Sequence, residues 1–413
     1  MPGSRLRAVF AVSGMPSLYV STFLARLVGS SGPMLITLYV VTTLDRSYSQ
    51  AGWVTSILVI GLGVGAPLAG WALDRGRGRL LVGVTAVVEA TFWLFAGHLS
   101  YLALLFVAVA TAAFPLPSHT LPRWTIATRL DERTRQAAYT VDSICSEASY
   151  MVGPPAAVLL ASSWGARPVL AVLAGMTVLV GIIYLAPAGM TRVQPGRPAG
   201  GTPVAPSQPE PQARSAMRAA MGPFIVVGAA MTLLAATEVL LIALMRSRNE
   251  MDQLGIVVLA WCASSIVGAL IFAVGGLKGG ATVLLGVMAL CSMLIGLASS
   301  WWQTALLLIP SGFLNAPVLA ASSEWLTRVV PPSLRGRFTG WHTLALTIGL
   351  AIGAPAGGLL ADHVPLWLSF CLLGLVGLLA ALTAAALSPA GRQSTASSTR
   401  SDPPSGPNAR DVA

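Results

Sequence analysis

Apolar residues run along the chain in stretches of about twenty, the length a helix needs to cross the hydrocarbon core of a bilayer, and polar residues collect in the short gaps between them. Twelve such stretches are read as spanning helices: 15–43, 49–73, 79–98, 101–123, 136–162 and 167–188, then 219–245, 253–277, 280–299, 302–325, 336–361 and 364–388. Between the two groups lies TRVQPGRPAGGTPVAPSQPEPQARSAMR, too rich in Pro, Gly and Arg and too poor in large apolar residues to build a core. The expected architecture is an all-α membrane protein of twelve transmembrane helices in two pseudo-symmetric six-helix bundles. Residues 1–188 and 219–388 form the bundles, 189–218 a flexible cytoplasmic linker, and 389–413 a disordered polar tail.

An internal repeat supports the two bundles. RQAAYTVDSICSEASYMVGPPAAVLLA, from Arg135, aligns without gaps on RGRFTGWHTLALTIGLAIGAPAGGLLA, from Arg335, so that Gly153 and Pro155 fall on Gly353 and Pro355. The fifth and eleventh segments are therefore counterparts. Parallel repeats related by an axis along the membrane normal place a solute site near the bilayer midplane between them.

Composition agrees with a lipid solvent. Apolar residues make up 55% of the chain and charged ones 10%, against about a quarter charged in soluble domains. The formal net charge is +10, but the arginines stand between apolar segments and not on a polar domain with stacking aromatics, which excludes a nucleic-acid partner. Their placement sets topology instead. Alternate loops and tails hold twenty Lys and Arg on one side and four on the other, with Arg26 left inside a span. Loops kept in the cytoplasm are enriched in these residues, so a multi-pass protein of the cell membrane with both termini cytoplasmic is expected. Arg5 and Arg7 precede the first apolar run without a convincing cleavage site, and that run is expected to serve as an uncleaved insertion signal. Cys145, Cys262, Cys291 and Cys371 lie within apolar stretches without CxxC spacing and read as small core residues. No metal or cofactor is expected.

Two motifs bear on mechanism. After the second segment, GAPLAGWALDRGRGRLL carries Gly70, Asp74, Arg75, Arg77 and Arg79. In the fifth, Gly153-Pro154-Pro155 follows Asp142 and Glu147; proline removes a helical hydrogen bond and bends the helix, while glycine lets a neighbouring backbone approach. The first motif resembles the signature between the second and third helices of the major facilitator superfamily, although Arg77 stands where that signature has its glycine. The second resembles the Gly-Pro motif that the family's exporters often carry. Within the family the chain is similar to Arg-rich drug and metabolite efflux carriers of high-GC bacteria. The resemblance implies that Asp74 and Arg75 form a cytoplasmic latch, the Asp meeting a helix N-terminus and an Arg of the other bundle. It also implies that the Gly-Pro segments shape the interface on which the bundles tilt.

Charges inside spans are costly and line a cavity or pair with a partner. Arg26 is the only basic residue well inside a span, and Glu147 or Asp142 is its expected partner. Asp142, Ser146 and Ser149 share one side of the fifth helix, beside a stripe of Ser143, Glu147 and Tyr150, and are read as a wet face. A carboxyl group in a low-dielectric cavity exchanges its proton nearer to neutral pH, which makes Glu147 the first choice for proton carrier. In the resembled fold the seventh helix lines the cavity, which makes Glu238 a pathway candidate. The third lies outside it, so Glu89 is expected to face lipid-side packing. Arg123 stands near the place where the family often carries an arginine tied to proton coupling, with His119 one turn away.

These readings point to a secondary transporter, monomeric, moving a small apolar organic compound with protons, outward by preference and inward as the alternative. No GxxxxGK[ST] loop supports ATP-driven work. A membrane enzyme or receptor is the remote alternative, since four scattered histidines and a short linker offer neither a catalytic cluster nor a signalling domain.

Overall fold

The computed structural model describes residues 9–12, 14–130, 132–186, 210–273, 279–331 and 334–387. They form helices and connecting turns, and no strand occurs among them. In the first half α1 runs Met15–Leu38 and ends in a π-helical turn, Tyr39–Thr43; α2 is Tyr48–Asp74 and α3 Gly78–Ala96. The fourth span is two pieces, α4a (Tyr101–Thr111) and α4b (Thr120–Arg129), and α5 (Glu132–Trp164) and α6 (Ala166–Leu185) complete the half. In the second half α7 is Glu210–Ser247, α8 Leu254–Ala273, α9 Ala281–Ile295, α10 Trp301–Val329, α11 Arg335–His363 and α12 Leu366–Ala386. Among the described residues ten helices are long and apolar enough to cross a bilayer, and α4a and α9 are shorter apolar helices.

The twelve spans are those expected, with two differences. Helix α7 begins at Glu210, inside the stretch assigned to the linker; the rest of that linker up to residue 209, and the tail from residue 388, lie outside the described residues. The fourth span is not continuous. Pro115 and Pro117 supply no N–H and bias the residues before them away from helix, so the chain leaves helical geometry after Thr111 and re-enters it at Thr120.

Local chemistry sets the ends of α2. Ser47 and Gln50 form a reciprocal capping box at its start. At its end Gly76 takes a left-handed φ of 71°. Its N–H donates to the Leu73 carbonyl at 3.0 Å, while that of Arg77 reaches the Ala72 carbonyl at 2.9 Å. This is a Schellman cap, which favours glycine at that position. The cap accounts for Gly76, one of the two glycines that flank Arg77.

Without a hydrophobic drive between helices in lipid, small residues that admit close approach set the packing. A Cβ on Gly153 of α5 would lie 2.3 Å from Ser30 Oγ of α1, and one on Gly353 of α11 2.6 Å from the Thr232 carbonyl of α7. The two halves repeat the same crossing. Gly97 against Arg167, and Gly296 against Trp367, repeat a second one. Gly153 itself packs on α1 within its own half; Pro355 lies against Gly52 of α2, and α5 reaches the other half through Leu159, which faces Gly255 of α8.

The halves meet at the end where α1 finishes and α2 begins. Met34 and Leu38 of α1 and Val158 of α5 share an apolar cluster with Leu241, Met245 and Leu254 of the second half. Asp362, at the end of α11, accepts hydrogen bonds from the backbone N–H groups of Tyr48 (2.9 Å) and Ser49 (2.8 Å) at the start of α2. Arg246 of α7 donates to the Val41 carbonyl at 2.8 Å, a group released by the π-helical end of α1, and pairs with Asp45 at 3.1 Å. Ser56 hydroxyl donates to the Ala351 carbonyl. At the other end the groups that would meet on closure are engaged within their own half or exposed. Asp74 accepts from Trp124 Nε1 at 3.1 Å, Glu324 pairs with Arg328, and the hydroxyls of Thr339 and Thr343 donate to carbonyls of their own helix. The molecule is sealed at one end and parted at the end where α1 begins and α12 finishes.

Candidate functional site

Arg26 is 2% exposed and Asp142 1% exposed. Such a charge persists in a low-dielectric interior only with a partner, and each supplies the other's. Arg26 Nη2 donates to Asp142 Oδ1 at 2.8 Å, and Nη1 to the Asp142 backbone carbonyl, also at 2.8 Å. The second carboxylate oxygen, Oδ2, lies 3.5 Å from Nε of Arg123 on α4b, whose side chain is 63% exposed. One acid therefore stands between a buried arginine that is fixed and an exposed one that is free to leave.

The surroundings are polar and enclosed. His119 lies beside both arginines. Tyr19 hydroxyl donates to the Ala138 carbonyl at 3.0 Å, and the hydroxyls of Tyr184 and Thr22 are 3.1 Å apart. Among the described residues Arg26 Nε is buried without an acceptor. Ser30 hydroxyl donates to the Ser149 carbonyl at 3.0 Å, and Ser149 is fully buried. The Asp142–Ser149 stripe is thus packed on α1 and is not the wet face that its polarity suggested.

Of the expected site residues, Arg26, Asp142 and Arg123 come together. The side chain of Glu147 lies outside the described residues. Glu238 sits apart on α7, near Cys262 of α8, whose sulfur is 4.0 Å from the Tyr150 carbonyl of α5. Among the described residues none donates a hydrogen bond to it. Tyr150 lies eight residues beyond Asp142, about 12 Å along a helix, so Glu238 lies nearer the sealed end. A small hollow lined by Thr237, Trp261, Ser311 and Asn315 is interior to the second half and is not the space between the halves.

In the latch motif, Arg75 stacks its guanidinium 3.9 Å over the Trp71 ring and Arg77 lies 6.0 Å from it. Arg79 is exposed, and Gly70 approaches Thr120 of α4b. Asp74 meets Trp124, neither a helix N-terminus nor an arginine of the other half, because this end is parted.

Two residues were missed or misplaced by sequence reasoning. Asp362 belongs to no motif, and its partners are backbone groups 313 and 314 positions away. Glu89 does not face lipid-side packing. Its Oε2 accepts from the Leu116 N–H at 2.6 Å and its Oε1 from Trp93 Nε1 at 3.2 Å. The signal available was Leu116 itself, a lone N–H between two prolines inside an apolar run.

Two repeated helical bundles joined at one end, the first with an ion pair buried inside it, define a multi-pass membrane carrier. The sequence profile of the Major Facilitator Superfamily matches residues 18–283 and 254–409, and the chain belongs to that superfamily. Its fold is similar to that of the nucleoside transporter NupG, with a TM-score of 0.68 at 14% identity over 90% of this chain and 98% of that one. It is likewise similar to the POT family transporter PepTSo, with a TM-score of 0.69 at 13% identity over 92% and 98%. A bacterial homologue of the human lysosomal transporter Spinster, solved in an inward-facing and occupied conformation, gives a TM-score of 0.63 at 14% identity over 90% and 94%. At these identities the likeness establishes the fold alone. No match is found among curated protein sequences.

Proposed function

We propose that the protein is a proton-coupled secondary transporter of the cell membrane that exports a small, largely apolar organic compound by alternating access, working as a monomer with both termini in the cytoplasm. With that orientation the parted end faces the cytoplasm, as in the inward-facing Spinster homologue, and carries the loop arginines that the positive-inside rule assigns there.

The reading rests above all on Asp142, shared between fixed Arg26 and exposed Arg123. A proton on this carboxyl removes the charge that holds Arg123, and the arginine is then free to swing into the space between the halves. Acid therefore favours the released state, and alkali the engaged one. A change at one acid moves the global equilibrium only if its binding energy differs between the inward and outward forms, and an arginine that is 63% exposed in the inward form supplies such a difference. Glu147, close by on the same helix, and Glu238 are further acids of the pathway.

Proton-coupled uptake of a small nutrient is the second reading; it is favoured by the exposed Arg123, a group able to meet an anionic solute. The deciding experiment challenges a strain expressing the protein with a panel of toxic organic compounds. Export lowers intracellular accumulation until an uncoupler restores it, whereas uptake raises accumulation. Asp142→Asn should abolish the uncoupler-sensitive component, and its survival in that variant would remove Asp142 from the mechanism. Glu147→Gln and Glu238→Gln, run in parallel, assign the remaining acids.

A further inference from the structure

The break in the fourth span lies within a helix bundle, where backbone groups have little water to satisfy them. Between Thr111 and Thr120 the chain reads Ala-Ala-Phe-Pro-Leu-Pro-Ser-His. Because Pro115 and Pro117 have no N–H, Leu116 holds the single donor of that central triplet, and it points into Glu89 Oε2 at 2.6 Å. Trp93 Nε1 holds the other carboxylate oxygen at 3.2 Å, and the Trp93 ring fills the space that a Cβ on Gly32 of α1 would enter. On its other side the break is pressed into α2. A Cβ on Gly61 would lie 2.2 Å from Ala112, and one on Gly65 2.7 Å from the Ala113 carbonyl.

Just beyond the break, consecutive residues of α4b engage two different acids. Arg123 reaches Asp142 at 3.5 Å, and Trp124 donates to Asp74 at 3.1 Å. The starting point of this ten-residue helix decides whether both contacts can form.

We propose that Glu89 is a positioning residue for proton coupling: by holding the Leu116 N–H it fixes the origin of α4b and so presents Arg123 to Asp142 and Trp124 to Asp74. The proposal rests on the reading of Asp142 as a proton carrier. In it, α4b transmits the state of Asp142 to the α2–α3 loop, since Arg123 and Trp124 move as one piece. Glu89 itself exchanges no proton in the cycle.

The test uses the full chain in lipid nanodiscs, with the native cysteines replaced and spin labels at Leu80→Cys and Thr339→Cys, one on each half at the parted end. The distance between the labels is followed from acid to alkaline pH. The parent is expected to shift between two distances, and Asp142→Asn to be blind to pH. Glu89→Leu frees α4b and weakens the hold of Arg123 on ionised Asp142. The carboxyl then takes its proton more readily, and the midpoint should rise by about half a pH unit or more. Glu89→Gln keeps a carbonyl oxygen for Leu116 and should restore the parent midpoint.

A pH-blind Glu89→Gln would make Glu89 a proton carrier and overturn the proposal. A Glu89→Leu protein that melts earlier yet keeps the parent midpoint would reduce Glu89 to a structural group and overturn it equally. Should Glu89→Leu fail to fold, Glu89→Asp, which withdraws the carboxylate by one methylene, should raise the midpoint in the same direction; an unchanged midpoint there rejects the idea. A pH response that persists in Asp142→Asn defeats the proton-carrier reading itself. A pH-blind Asp142→Asn beside an unaffected Glu89→Leu defeats the Glu89 proposal alone.

Discussion

Arg26 and Asp142 each lose more by the other's absence than the pair gains by its presence. Removing one member of a buried ion pair typically costs about 3–5 kcal/mol, whereas replacing both by apolar groups is often neutral. Arg26→Met should therefore lower the melting temperature of the purified protein sharply, and Arg26→Met with Asp142→Leu should recover most of the loss. Additive losses in the double variant would show that the two side chains do not compensate one another. The sequence made Arg26 conspicuous, because a lone base inside an apolar run must find an acid. It did not choose between Asp142 and Glu147, five positions apart. The choice depends on how α5 is rotated against α1, and that rotation is fixed by Gly153 seating on Ser30 and Leu27, a contact visible only in three dimensions.

The helices repeat across the halves in their crossings more than in their chemistry. Gly153 and Gly353 serve the same purpose at the α1–α5 and α7–α11 contacts, yet the acids of α5 have His342, Thr343 and Thr347 as their nearest counterparts on α11. His342 there shares a hydrogen bond of 3.0 Å with Ser322 of α10. Because Ser30 is tied to the Ser149 carbonyl, it cannot simply step aside for a methyl group. Gly153→Ala and Gly353→Ala should each destabilise by about 1–3 kcal/mol, the usual cost of overpacking. Thermal melts in detergent would check this, and unchanged melting of both would mean that the crossings have slack. Most helices were legible from apolar run length, since hydrocarbon thickness imposes it. The break in the fourth was hidden because Ala112 to Leu116 are as apolar as the helix before them, and only the paired prolines interrupt the run.

At the scale of the whole molecule, the sealed end holds the two halves together while the opposite end is parted. Each hydrogen bond to a charged group is worth about 1.5–3 kcal/mol, and Asp362 makes two across the divide. Asp362→Ala should shift the population toward the form open at that end by about tenfold or more. Spin labels or thiol accessibility across the sealed end would report it, and an unmoved population would show that the apolar cluster, the Arg246 clasp and the Ser56 hydrogen bond seal the protein without Asp362. The two-half plan was legible from the 200-residue repeat, whereas the seal was not, because it needs both halves placed together.

Asp362 grips main-chain amides and no side chain. A second-site substitution elsewhere therefore has no charge to swap with it, and a carrier that loses this acid can recover only by restoring one at the same helix end or by strengthening the Arg246 clasp. Suppressor selection starting from a damaged position 362 should return few solutions, all clustered on the far rims of α1, α7 and α11.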